Sequence, residues 1–379
     1  MSEYSVGPSR EGDQFHYWRA ARLALELLPA NSPLKLISIE GVTPADEQEA
    51  GIEVIDLSLY YGSGDPAKSD RVEYRQLKHS TRHSTKPFTA SGVERTLEHF
   101  ASRYAALVNR HGMARVSKRF RFVFETNRPI AGQVTRAIDE LIEGRSGKTS
   151  NYLRSKLPLK GRRLKQFAAL IQFRPLEPGL LPQRSMAGRD FRNYLPDDDK
   201  DAPLALKELI TRKATTEFET NPDITRHDVL GAAKTSLGDL YPAPNLIEVP
   251  THLVERKPVA SVARSIVDGP SIALVTADGG VGKSVLTRQI GQYLPRGSRL
   301  FVYDCFGNGS YRTQSKYRHS VRQGLVQLAN EMAGEGLCDL LIPSARSASD
   351  AYARAFADRV ARAAQRGRLR NPARCCASL

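Results

Sequence analysis

Ser271-Ile-Ala-Leu-Val-Thr-Ala-Asp-Gly-Gly-Val-Gly-Lys-Ser-Val-Leu-Thr-Arg-Gln-Ile290 reads as a buried strand, a glycine loop and a helix. The loop closes on Gly282-Lys283-Ser284, in the spacing of a Walker A motif, with Ala277 where its first glycine usually stands. Glycines let backbone N–H groups turn inward and cradle phosphate oxygens. The helix that follows adds the partial positive charge of its N-terminus. The stretch Gly279, Gly280, Val281, Gly282, Lys283, Ser284 and Val285 is therefore expected to bind a nucleotide, ATP. Lys283 would reach the β- and γ-phosphates and Ser284 would hold the accompanying Mg²⁺. A strand–loop–helix of this kind predicts an α/β domain with a parallel sheet.

The motif opens only after some 270 residues, so a separate unit precedes it. A chain of 379 residues suits two or three domains. We expect a domain over 1–145, a basic and largely helical extension over 146–244, and an NTPase portion over 245–379. Lys and Arg number 56 against 41 Asp and Glu, a net charge of +15. That balance points to a polyanionic partner, most often nucleic acid. The excess is local: residues 145–192 hold twelve Lys and Arg against only Glu177 and Asp190, and Asp197-Asp-Asp199 follows. The four cysteines have neither zinc spacing nor a disulfide framework. With no signal-peptide pattern at Met1 and no apolar run of membrane length, a cytoplasmic protein is expected.

Before the loop, helical and strand-like segments alternate, which predicts an α/β domain. Residues 11–28 have helical apolar spacing through Phe15, Trp18, Ala21, Leu25 and Leu28. Strands are expected over 34–39, 52–61, 72–78 and 119–125, and helices over 91–109, 133–143 and 164–171. Further helices are expected over 204–216, 227–237 and 255–266. Beyond the loop, Arg299–Asp304 predicts the next strand of the NTPase sheet, leaving Asp304 a loop residue near the nucleotide at most. Helices follow over 320–333 and 351–364. The last segment, from Arg366, shows no clear core pattern and reads as a ragged or truncated end.

Period two puts Val72, Tyr74, Gln76 and Lys78 on one face of their strand. Asp56 lies on the strand before it, so Asp56, Gln76 and Lys78 could converge in one cleft. These residue types suit phosphodiester hydrolysis. A divalent cation must polarise the phosphate and activate water. Asp56 could bind it, and Gln76 could add its amide oxygen. Lys78 could orient the attacking water and stabilise the developing charge. The plainer reading of the same residues is a polar strand face with a salt bridge.

Gly12-Asp-Gln-Phe-His-Tyr17, Ile52-Glu-Val-Ile-Asp-Leu57 and Tyr74-Arg-Gln-Leu-Lys-His79 resemble the PD-(D/E)xK nucleases of the Mrr and Cap4-like type. The resemblance covers roughly residues 10–130. It implies a restriction-endonuclease-like fold, Mg²⁺ or Mn²⁺ as cofactor, Asp56 as the metal-binding Asp and Gln76-x-Lys78 as the third motif. His16 stands where that family has an acid on its first helix; Glu40 or Glu53 could substitute, but Glu53 lies on the strand face opposite Asp56. His79 and His83, near this site in sequence, could contact phosphate; the plainer reading of both is a surface role.

The loop Ala277–Ser284 with Tyr303-Asp-Cys-Phe-Gly-Asn-Gly-Ser-Tyr-Arg312 resembles the start of a STAND or NACHT-type NTPase, similar to those of bacterial antiviral, Avs-like proteins. It covers about 255–345, the opening third of such an ATPase, without a Walker B counterpart. The resemblance implies a defence effector. A C-terminal sensor absent here would recognise a phage-derived trigger protein, ATP would favour a homo-oligomer, and a nuclease would cut DNA with little specificity. The alternative is a catalytically degenerate nuclease fold kept as a nucleic-acid-binding or oligomerisation module under the nucleotide switch. An ATP-dependent restriction or remodelling enzyme would need helicase motifs, and none is visible.

Overall fold

The computed structural model of the chain describes residues 7–46, 50–215, 221–248, 251–252, 257–269, 274–312, 318–370 and 375–378. Two compact units emerge. The first is formed by residues 1–28, 32–191 and 200–233, the second by 29–31, 192–199 and 234–379.

The first unit is mixed α/β. It contains α1 (Gly7–Ala24), β1 (Leu34–Ile39), β2 (Leu57–Tyr61), β3 (Arg71–Lys78), α2 (Ala90–His111), α3 (Met113–Arg119) and β4 (Phe120–Thr126). It continues through α4 (Gly132–Glu143), α5 (Lys148–Lys156), α6 (Gly161–Ala168), β5 (Ile171–Arg174), α7 (Leu180–Arg192), α8 (Asp201–Lys213), β6 (Asp223–Ile224) and α9 (Arg226–Ala232). One six-stranded sheet runs β5-β4-β3-β2-β1-β6. β1 pairs antiparallel with β2 and with β6, and β2 with β3, while β3, β4 and β5 run parallel. The parallel half needs crossovers, supplied by α2–α3 and α4–α6.

The residues that follow period two do what that pattern demands. Val72 and Tyr74 point into a core shared with Phe122, Phe124, Phe100, Leu97 and Phe167. Glu73 and Arg75 point to the other face, where α1 delivers Arg19 to Glu125. Three differences from the sequence reading have local causes. Strand β2 begins at Leu57 rather than at 52. Gly51 sits at φ +86°, and a Cβ there would meet the His99 carbonyl oxygen at 2.3 Å, so this segment is laid against α2. Ile55 N–H then turns back to the Ile52 carbonyl at 2.9 Å. The helix expected over 164–171 stops at Ala168, and Ile171–Arg174 joins β4 as an edge strand. The helix expected over 227–237 breaks after Ala232 because Lys234 takes a left-handed φ of +55°.

The second unit contains α10 (Leu237–Leu240), α11 (Lys257–Asp268), α12 (Lys283–Gln289), β7 (Arg299–Val302), α13 (Val321–Gly334), α14 (Ser349–Arg370) and β8 (Cys375–Ser378). Val326, Ala329, Leu341, Tyr352 and Ala355 form a core between α13 and α14. Asn330 spends its whole amide there, donating to the carbonyls of Leu240 and Leu341 and accepting Leu341 N–H. The segment read as a ragged end includes β8, which pairs parallel with β7. Of the strand expected before the glycine loop, Ser271–Ala273 lie outside the described residues and Leu274–Asp278 form no strand. No helix among the described residues is long and apolar enough to cross a membrane.

Candidate functional site

Three neighbouring strand ends bring the first-unit candidates together. Ile39 pairs with Leu57, and Leu57 with Arg75. Extending that register by one residue sets Glu40, Asp56 and Gln76 in a row across β1, β2 and β3. Backbone bonds hold the row: Glu40 N–H donates to Asp56 C=O at 2.8 Å, and Asp56 N–H to Arg75 C=O at 2.9 Å. Glu40 sits at φ +52°, a conformation unusual for a residue with a side chain.

The Asp56 side chain is 12% exposed. Its Oδ2 accepts from Gln76 Nε2 at 2.7 Å and from Leu77 N–H. His16, on α1, places Nε2 3.0 Å from the Leu77 carbonyl, to which it donates, and 3.9 Å from Asp56 Oδ2. Burial lowers the His16 pKa, so the ring is neutral near pH 7 and its approach to Asp56 is not an ion pair. Burial pushes Asp56 up to about 7, against the pull of Leu77 N–H, the Lys78 charge and Gln76. Glu40 is pushed up to about 7 by desolvation and then by the Asp56 charge. Glu40 is nevertheless open to solvent over much of its surface, and screening there weakens both effects. Lys78 stands at the exposed end of β3, close enough for its charge to act on Asp56.

Glu53 does not belong to this cleft. It lies in the turns before β2, exposed, and pairs with His99 on α2. Of the two substitutes for the helix acid, only Glu40 adjoins Asp56. His83 lies on an exposed loop. His79 is half-buried, stacks on Phe15 at 4.7 Å between ring centroids, and accepts Leu180 N–H at 3.3 Å. These long-range partners carry no local sequence signal beyond the Pro-Gly punctuation around Gly179.

Among the described residues no three His, Cys, Asp or Glu side chains cluster as a metal site. The donors at hand are Asp56, Glu40 and the Gln76 amide oxygen. They still fit a hard divalent cation that takes oxygen ligands, keeps waters and needs only one or two carboxylates. Two neighbouring carboxyl groups with raised pKa values are the arrangement a cation relieves.

In the second unit the glycine loop is exposed from Leu274 to Lys283. Gly280 and Gly282 adopt φ of +75° and +90°, which side chains resist. A Cβ at Gly279, Gly280 or Gly282 would meet no atom within 4 Å, so backbone conformation and open approach are what glycine supplies there. Lys283 Nζ donates to the Ala277 and Asp278 carbonyls, folding back over the loop. Val281 and Val285 flank the turn, and Ser284 stands in the first turn of α12. This backbone fits phosphate oxygens. Asp304, by contrast, is buried and engaged by backbone donors: Leu246 N–H at 3.1 Å, Phe306 N–H at 3.1 Å and Gly307 N–H at 2.8 Å. It clamps the segment after β7.

No family model matches the chain, and no curated protein matches it either. Among solved structures it is similar to a Cap4 SAVED/CARF-domain containing receptor of Acinetobacter baumannii. With the cyclic trinucleotide 2′3′3′-cAAA that structure aligns at TM-score 0.33 and 16% identity, over 62% of this chain and 46% of that one. The receptor with 3′3′3′-cAAA gives 0.35 and 15%, over 80% and 63%. The receptor alone gives 0.34 and 16%, over 80% and 65%. The chain thus spans between about half and two thirds of the receptor's length. Similarity at this level carries no argument about activity or ligand.

Proposed function

We propose that the chain is a metal-dependent endodeoxyribonuclease effector of bacterial anti-phage defence, governed by an ATP-binding switch of STAND type. In this reading the first unit is a restriction-endonuclease-like core, and the second holds the start of a P-loop NTPase. The row Glu40–Asp56–Gln76 with Lys78 at its edge supports it most directly. Asp56 and the Gln76 amide oxygen, with Glu40 adjoining, would hold Mg²⁺ or Mn²⁺. Such an ion polarises the scissile phosphate and makes water a nucleophile near neutral pH. Lys78 orients the attacking water and balances the charge that gathers on phosphate oxygens. His16 pins the Leu77 carbonyl, and with it the end of β3 that carries Lys78. At the glycine loop, Lys283 would exchange its two carbonyl partners for phosphate oxygens, and Ser284 would serve the nucleotide's Mg²⁺. Nucleotide-bound copies would assemble on a phage-derived trigger and bring nuclease units together on DNA.

The test uses the purified full chain, plasmid DNA and Mg²⁺. Lys78→Ala should lower cleavage by about 10²-fold or more while leaving ATP binding intact. Lys283→Ala should abolish ATP binding. Intact cleavage by Lys78→Ala would sink the assignment. His16 favours a second reading, because it meets a backbone carbonyl where an acid would meet a cation. In that reading the first unit is a degenerate nucleic-acid-binding or oligomerisation module. Calorimetry separates the two: Mg²⁺ or Mn²⁺ binding that disappears in Asp56→Asn supports catalysis, and its absence supports the module.

A further inference from the structure

The segment that runs from β5 into the first turn of α7, Pro175-Leu-Glu-Pro-Gly-Leu-Leu181, is tied to the strand ends that carry the candidate cleft. Leu176 N–H donates to the Arg128 carbonyl at 3.3 Å and Glu177 N–H to the Thr126 carbonyl at 3.0 Å. Leu180 N–H reaches His79 Nε2. Thr126 is the residue paired with Lys78 across β3 and β4. The loop therefore sits two strand spacings from Lys78, roughly 10 Å.

This anchored segment exposes two leucines, one in the loop and one in the first turn of α7. Leu176 is 67% exposed and Leu181 75% exposed. Leu176 also holds φ +60°, a left-handed conformation that a leucine adopts only when its surroundings impose it. An exposed polar residue, Asn above all, would fit that backbone better. The loop's acid, Glu177, lies toward Arg19 at 3.8 Å and is largely covered, so it does not oppose an anion. Beside the loop, Arg128 donates to the Lys86 carbonyl at 2.7 Å, which brings the exposed segment of Arg82, His83 and Lys86 to the same rim.

We infer that Leu176 and Leu181 form an apolar wedge that enters the minor groove of duplex DNA beside the cleft and unstacks a base step. The inference rests on the nuclease reading and deepens it by naming duplex DNA as the form engaged. An apolar wedge rimmed by cations matches a polyanion whose grooves expose base edges, and inserted Leu side chains kink duplexes in this way. At about 3.4 Å per base step along a strand, the wedge meets the duplex about three steps from a phosphate held at Lys78.

The test is a short duplex carrying 2-aminopurine at every third position, titrated with the full chain in EDTA so that cutting does not interfere. Wild type should raise 2-aminopurine fluorescence on binding. Leu176→Asn/Leu181→Asn, which suits the left-handed backbone at 176, should lose most of that rise and bind about tenfold more weakly. Its melting temperature should be unchanged or higher. Unchanged fluorescence and affinity in the double variant overturn the wedge. If plasmid cleavage still depends on Lys78 in that case, the nuclease reading stands without it. A wedge signal lost in the double variant, in a protein that cuts nothing with any divalent metal, keeps the wedge and removes the nuclease. A double variant that changes oligomeric state by light scattering, with duplex affinity unaltered, assigns the patch to contact between copies and overturns the proposal. No duplex binding by wild type also overturns it.

Discussion

Asp56 concentrates the conflict at the residue scale. Its carboxyl is pushed up to about 7 by burial, and only part of that cost is returned by Leu77 N–H, Lys78 and Gln76. The folded state therefore holds a proton that the unfolded chain releases near pH 4. This group's contribution to stability is full below that unfolded pKa and is lost as pH rises through about 7. Glu40 acts in the same direction, and the two titrate as a pair. Without divalent metal, the wild-type melting temperature should fall between pH 5 and pH 8. Asp56→Asn should flatten that fall and be more stable at pH 8 by about 1–3 kcal/mol, a rise of roughly 2–8 °C. A scan of melting temperature against pH checks this. An equally steep fall in the variant would mean that Asp56 is not the buried charge responsible. The same substitution should remove cleavage, a trade of stability against function common at active sites.

At the scale of elements, β3 and β4 carry a second polar system that the candidate chemistry does not use. Glu125 is fully buried and accepts from Arg19 and from Arg75, whose guanidinium also meets Glu73. Burial alone would raise the Glu125 pKa, but Arg19 first and then Arg75 and Arg174 hold it below the usual carboxylate range. These pairs tie α1 to the sheet, and so set where His16 lies against Leu77. Glu125→Gln leaves the buried Arg19 guanidinium without its carboxylate and Arg75 with Glu73 alone, and should cost about 3–5 kcal/mol. Lys68→Ala breaks an exposed, solvent-screened pair with Asp65 and should leave the melting temperature nearly unchanged. Thermal unfolding of the two variants side by side measures the contrast. Arg75 and Glu125 could be assigned to strands from their neighbours, since apolar residues alternate around them. Their mutual pairing could not, because fifty residues and a crossover separate them.

At the scale of the molecule, charge is the clearest statement the chain makes about its partners. The basic excess over 145–192 lies mainly on α5, α6, β5 and α7, and up to residue 191 it falls within the first unit, which also holds the candidate site. If this surface neutralises about six phosphates, duplex affinity should fall about 10³-fold between 50 and 200 mM salt. Fluorescence anisotropy across that range gives the slope. A slope near zero would remove the polyanion from the account. The glycine loop belongs to the second unit, and Lys283 and Lys78 therefore test separate halves of one proposal.

Local pattern alone determined much of this chain. Period two on β3, helical spacing on α1 and α2, and the glycine loop before α12 are short-range consequences of backbone geometry, and they are legible without any contact. The same alternation put Gln76 and Lys78 on one face of β3, and strand register then set Asp56 against Gln76. Tertiary packing decided the rest. Gly51 against α2 delayed β2 to Leu57, while strand register set Glu40 beside Asp56. Lys234 broke a helix that its neighbours favoured, and the strand ends imposed a left-handed backbone on Leu176. Each of these depends on atoms dozens of residues apart meeting at van der Waals or hydrogen-bond distance, which spacing along the chain does not encode.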